Sequence, residues 1–302
     1  MLEELLLEFT LGCLLDIAPI ARLKILFAGC GDIGSRSAAR LVDDFDCFGL
    51  KRNPQTLADF IAPLAGSMTD LDRLVEVLNQ GFDVVVATLT PDGFTPEAYQ
   101  RAYVDSAKTL AEAMTLTTTV PKLVIWVSST SVYGDCDGDW VNEQSPTTAL
   151  SFSGKLLLEA EQQIATSPCA TVIVRFSGIY GPGRTRMLDQ VIAGKGRPAK
   201  PQQWSNRIYS EDCAGVLAHL VRAFDAGKAL ESLYIGTDCA PVTQHDLRIW
   251  LAQQLEVELE DELVEQKAIR RCSNQRLLDS GYEFLYPSYK EGYQSLIDTR
   301  PK

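Results

Sequence analysis

Apolar positions in this chain come in short continuous runs, each closed by glycine, proline or polar residues and then followed by helical spacing. Residues 23–28 (LKILFA) stop at three closely spaced glycines. A parallel strand covered on both faces has this signature, because no polar face survives to alternate. DCFGLKRNP reads as a second strand ending in a basic pair and a turn. LAGSMTDLDRLVEVLNQG reads as a short strand and then a helix, with Asp70 near its start and Gly81 beyond its end. FDVVVATLTPDG is a fourth buried strand that stops at Pro91. A long helix is expected over about 96–115, with Pro96 in its first turn. PKLVIWVSSTSVYG is a fifth strand, GKLLLEAEQQIA a helix, and CATVIVRFSGIYGPG a sixth strand with its loop.

Strands alternating with helices at this spacing predict an α/β fold: a Rossmann-type, doubly wound parallel sheet whose ligands lie outside the carboxyl ends of the strands. Residues 1–22 form an N-terminal extension, 23–175 the dinucleotide-binding domain, and 176–302 mainly a smaller C-terminal substrate lobe, interleaved with the last strands of the sheet. That lobe is expected to include the short strands RIYS and SLYIG and the helices DCAGVLAHLVRAF and QHDLRIWLAQQLEVEL. The acidic run EVELEDELVEQ reads as a solvated helix-and-loop face. The first residues, MLEELLLEFTLGCLLDIAPIARLK, are too short and too interrupted by Glu8 and Asp16 to span a bilayer. They read as an amphipathic extension or as a start codon placed too far upstream.

Gly29, Gly31 and Gly34 make G-x-G-x-x-G between the first strand and a helix. Such glycines serve a tight turn, the approach of backbone to a pyrophosphate, and close packing of helix on strand. The helix start, with Asp32 and Ile33, then offers unpaired amides and a positive dipole end to phosphates. Thr88, at the end of the fourth strand, is a further cofactor-side candidate. Where NAD readers place Asp or Glu after the second strand, this chain has Lys51 and Arg52. A carboxylate there repels a 2′-phosphate and a guanidinium pairs with it, so NADP is favoured and NAD is left as the alternative.

The net charge of −12 removes general nucleic-acid binding. Eight scattered cysteines without a CxxC, together with two histidines, give no basis for a metal site and fit free thiols in a reducing cytoplasm. His219 falls at helical spacing in AGVLAHLVRAF. His245 follows Thr243, with Asp246 placed for an N-cap. Both histidines read as structural. The expected partner is a small-molecule substrate, with no nucleic acid and no membrane, and a homodimer is left open.

VSSTSVYGDCDGDWVNE, SFSGKLLLEAE and RFSGIYGPGR resemble the extended short-chain dehydrogenase/reductases, the NAD(P)-dependent epimerases and dehydratases, and within them the atypical YeeZ-like subgroup. The resemblance runs from about Lys24 to the end. It implies that Ser129 and Thr130 hold a substrate oxygen and that Lys155 binds the nicotinamide ribose and tunes a tyrosine four residues earlier. Here that position is Ser151. An aliphatic hydroxyl titrates far above a phenol and cannot do a phenol's work without a separate base. Three readings follow: Tyr133 or Tyr180 substitutes as the acid, hydride transfer proceeds with Ser129 or water relaying the proton, or the chain is a non-catalytic NADP(H)-binding sensor or regulator. Tyr133 is the first substitute, although an aromatic there also serves simply to pack beneath the loop. Arg184, beside Gly181, Pro182 and Gly183, is a clamp for an anionic substrate group.

Overall fold

Seven strands form one parallel sheet: β1 (Lys24–Ala28), β2 (Asp46–Lys51), β3 (Ala62–Ala65), β4 (Val84–Ala87), β5 (Leu123–Ser129), β6 (Ala170–Phe176) and β7 (Leu233–Gly236). Their spatial order is β7-β6-β5-β4-β1-β2-β3. The computed structural model describes residues 22–262 and 269–300. The N-terminal extension, apart from Arg22, and the last four residues of the acidic run therefore lie outside the described residues.

Period-two geometry explains the apolar runs. Ile25 and Phe27 of β1 point into one core layer, with Val84 and Val86 of β4 and Ile125 of β5. Leu26 and Ala28 point into the opposite layer, with Val85 and Val124. The first layer is closed by helices α1 (Asp32–Ala39) and α5 (Ser210–Asp225), through Ile33, Ala38, Cys213, Val216, Leu217 and Leu220. The second is closed by α2 (Leu71–Leu78), α3 (Ser106–Leu116) and α4 (Phe152–Ile164). Asp70 caps α2 by accepting from the Arg73 amide at 3.1 Å, and Gly81 lies beyond its end at φ +80°. Thr95 caps the next helical run with Pro96 at its first position. This run continues through a π-helical stretch, Gln100–Asp105, into α3.

Two segments expected in the smaller lobe belong to the sheet and its layer. SLYIG contributes β7, hydrogen-bonded to β6, and DCAGVLAHLVRAF is α5, packed on α1. The lobe has its own core of Tyr180, Leu188, Val191, Tyr209, Val242, Leu247, Leu251 and Tyr293, built partly on α6 (Gln244–Leu255) and α7 (Tyr289–Asp298). Thr243 caps α6 by accepting from the Asp246 amide at 3.0 Å. His245 hydrogen-bonds the Arg197 carbonyl, and His219 on α5 the Ser280 hydroxyl. Both histidines are structural in their contacts.

Candidate dinucleotide and active site

The sheet order reverses between β1 and β4, so the loops leaving these two strands diverge and open a crevice at their carboxyl ends. The glycine loop sits there. The amides of Gly29 and Cys30 donate to the Leu50 carbonyl at 2.9 and 3.1 Å, fastening the loop to the end of β2. Gly29 has φ +72°, where a Cβ would in addition lie 2.5 Å from Leu89. Gly34 faces Thr88, whose hydroxyl would stand 2.8 Å from an added Cβ. This is the close helix-to-strand packing that the third glycine was expected to serve. At Gly31 the nearest atom to an added Cβ is 3.8 Å away, so this glycine is not required by protein packing. No side chain caps α1 at Gly31, which leaves its first-turn amides open to a ligand.

Beside the loop lies a cavity of about 440 Å³, lined by Gly29, Gly31, Lys51, Arg52, Ser67, Met68, Thr69 and Leu89 to Asp92, among others. Bare backbone, an uncapped helix and two cations at its edge fit a dinucleotide's phosphates. The other expected cofactor residues take different places. Ile33 is buried in the core, so its side chain cannot face a ligand and its contribution is confined to the backbone amide. Thr88 is buried and donates to the Gly29 carbonyl at 3.3 Å, shaping the loop rather than lining the cavity. Asp32 pairs with Arg36 at 2.7 Å and with Arg184 at 3.3 Å. Arg184 thus reaches the head of α1 from the loop after β6 and stands outside the main cavity.

At the end of β5, Ser129 is part-exposed and its hydroxyl oxygen accepts from the Ser131 amide at 3.2 Å. Ser151 caps α4, accepting from the Gly154 amide at 3.1 Å, and Lys155 follows one turn later, exposed. Gly154 packs so tightly on the Ser131 carbonyl that a Cβ there would overlap it. The start of α4 is thereby seated against the Ser129 turn. Thr130 is buried, and its carbonyl accepts from Arg270. The expectation that its side chain touches substrate is not met.

Tyr133 is corrected most clearly. It is 1% exposed, and its phenol oxygen accepts from Arg175 Nη1 at 2.8 Å. Arg175 in turn forks onto Glu161 at 2.9 and 2.5 Å, and the Ser128 hydroxyl donates to Glu161 at 2.6 Å. Burial pushes the Tyr133 phenol up, against the pull of the Arg175 guanidinium. Tyr133 therefore closes a buried ionic network under β5 and cannot serve a substrate in the crevice. Tyr180, the other substitute, is 5% exposed in the lobe core, and burial raises its phenol well above the ordinary range. Among the described residues, no group of three or more His, Cys, Asp or Glu could hold a metal, and no helix is long and apolar enough to cross a membrane.

Residues 26–236, which run from within β1 to the end of β7, match the sequence pattern of the NAD dependent epimerase/dehydratase family. The chain belongs to that family. Protein YeeZ of Escherichia coli K12 is 30% identical over 205 residues, covering 68% of this chain and 65% of YeeZ's own length. A structure from Methylobacillus flagellatus, assigned to the NAD-dependent epimerases/dehydratases, is 34% identical, covers 92% of this chain and 98% of its own, and superposes with a TM-score of 0.79. Human epimerase family protein SDR39U1, solved with NADPH, shares the fold at 18% identity and a TM-score of 0.74, over 92% of this chain and all of its own. The family takes its name from its dependence on NAD, a nicotinamide dinucleotide.

Sequence reasoning missed several residues that line the cavity. Ser67, Met68 and Thr69 follow β3, while Asp92 and Arg101 follow β4; all five line the cavity. A hint was available in their positions after strand ends flanking the switch point, but none in their residue types.

Proposed function

We propose that the chain binds NADP(H) at the glycine loop and carries out hydride chemistry on a small carbonyl, alcohol or sugar-type substrate held beside Ser129, at a site without the usual phenol. The observation that carries this reading is the cradle itself, in which Gly31 has room that protein packing does not use, below an uncapped helix and beside Lys51 and Arg52. The open amides of α1 would hold the pyrophosphate, Arg52 and Lys51 the 2′-phosphate, and Ser67 to Thr69 with Leu89 the adenosine. A bound nicotinamide supplies or accepts the hydride.

Ser129 already accepts a hydrogen bond from the Ser131 amide, so its own O–H is free to donate to a substrate oxygen. Lys155, exposed and without a side-chain partner among the described residues, presents its ammonium one turn into α4 and orients a hydroxyl or anionic group of the ligand. Ser151 spends its oxygen on the cap and is no acid at neutral pH. Proton exchange therefore runs through Ser129 to solvent. Without a tuned acid the reaction should be slower by about 10²–10⁴ than at a phenol-bearing site.

The same cap, together with the burial of Tyr133 and Tyr180, also favours a second reading in which the chain binds NADP(H) as a sensor without turnover. Calorimetric titration with NADPH and NADH, followed by a carbonyl and sugar-nucleotide panel read at the reduced-nicotinamide absorbance, tests both. Turnover abolished by Ser129→Ala supports the enzyme, and tight binding with no turnover anywhere supports the sensor. Failure to bind either dinucleotide overturns both.

A further inference from the structure

At the edge of the adenosine-side cavity, Arg52 and Asp92 make a two-pronged ion pair, Nη1 to Oδ2 at 2.9 Å and Nη2 to Oδ1 at 2.6 Å. It joins the end of β2 to the loop after β4. Both partners are well exposed, at 69% and 57%. A carboxylate held in this way takes the fork of the guanidinium that a phosphate would take.

Arg101 lines the same cavity from the π-helical stretch Gln100–Asp105. Its guanidinium is exposed and has no hydrogen bond or ion pair among the described residues. It stands near enough to Asp92 to help hold that carboxyl below its usual range, behind the larger effect of Arg52. Lys51, by contrast, is engaged with the Thr56 hydroxyl at 3.0 Å. An uncommitted guanidinium on an irregular helical turn, facing a cavity beside a second guanidinium, is an arrangement suited to a ligand anion; π-helical insertions recur at functional sites.

We propose that Arg101 and Arg52 together read the 2′-phosphate of the dinucleotide, and that Asp92 is the resident carboxylate which this phosphate displaces from Arg52. The proposal rests on the NADP(H) reading and assigns its specificity. An exposed ion pair is weakly held, so a more highly charged phosphate can replace the carboxylate. A ribose hydroxyl has no charge with which to compete and leaves the pair closed. Asp92 therefore tempers the preference for NADP(H) and does not create it.

The test is calorimetric titration of the unmodified chain, Arg101→Ala and Asp92→Asn with NADPH, NADH and adenosine 2′,5′-bisphosphate, with circular dichroism to verify folding. Arg101→Ala should weaken NADPH and the bisphosphate by about tenfold, the worth of one charge-assisted contact, and change NADH less than about twofold. Asp92→Asn should tighten NADPH and the bisphosphate by several-fold while leaving NADH in place. An unmodified chain with no preference for NADPH overturns the cofactor reading and this assignment with it. A preference that survives intact in Arg101→Ala, or an equal loss for both dinucleotides, overturns the role of Arg101 alone. Weaker NADPH binding by Asp92→Asn overturns the displacement, because a merely structural clasp would loosen when cut.

Discussion

Replacing Gly31 by aspartate separates the fold from the ligand site more cleanly than any other change in the loop. An added Cβ meets nothing closer than 3.8 Å, and Gly31 has φ −98°, which any L-residue adopts. Position 31 is also the N-cap of α1, which no side chain caps. Aspartate is among the preferred N-cap residues and carries negative charge to the positive end of the helix, so folding should be unharmed or improved by up to about 1 kcal/mol. The ligand experiences the opposite. A carboxylate about 4 Å from a phosphate charge costs roughly 4 kcal/mol at the effective dielectric of a protein surface, before any steric term. Solvent screening reduces this, so at least a hundredfold weaker NADPH binding is expected, about 2.7 kcal/mol. Urea unfolding measures the first effect and calorimetry the second. A variant that keeps full NADPH affinity would show that the loop is a turn and nothing more, and a variant that fails to fold would show that the apparent room at Gly31 is illusory.

Tyr133→Phe should leave NADPH affinity and any turnover intact but lower stability by about 1–3 kcal/mol, because Arg175 Nη1 loses its buried partner; a large fall in turnover at unchanged melting temperature would restore Tyr133 to the chemistry. Ser151→Tyr removes a cap worth about 1 kcal/mol, yet position 151 is exposed and stands one turn before Lys155, so the variant should fold and gain reductase turnover on the substrate panel; no gain of turnover in a folded variant that binds NADPH would mean that the reacting end is misbuilt in more than one residue. Asp238 is 1% exposed, its Oδ2 has no hydrogen-bond partner among the described residues, and burial raises its carboxyl to about 7. The native state therefore binds a proton that the unfolded chain has released between about pH 4 and 7, and this group's contribution to stability falls as pH rises through that window. Asp238→Asn should match the unmodified chain near pH 4 and exceed it above pH 7 by up to about 4 kcal/mol in urea unfolding, and a difference independent of pH would refute the assignment.

The parts of this molecule that were readable in advance are those whose physical cause lies within a few neighbouring residues. β1 announces itself because Ile25, Leu26, Phe27 and Ala28 are all buried, two on each face, and the glycines announce themselves because Gly29 needs positive φ and Gly34 needs the space beside Thr88. The four residues of β7 read as a short strand, but nothing in them says which sheet they join. Their place in the central sheet comes from pairing with β6, some sixty residues earlier. Tyr133 misleads for the same reason. Its local setting, hydroxyls followed by Tyr-Gly, is that of a reacting site, while its fate is set by Arg175 on β6 and Glu161 on α4.

Arg101 is hidden by a different mechanism. Read with an unbroken 3.6-residue period, it is one more charged residue on a solvated helix. The π-helical stretch that contains it breaks that phase, since each inserted residue turns the following face by about 100°. Which cavity a side chain lines is then a property of where the insertion falls, and insertion is favoured by nothing in the residue itself. Anion readers supplied by a second element are consequently the least legible part of such a site, even where the glycine cradle lining the same cavity is plain. Arg52, just past the end of a strand whose position is fixed by β1, could be singled out from sequence; Arg101, which lines the same cavity, had to be found in space.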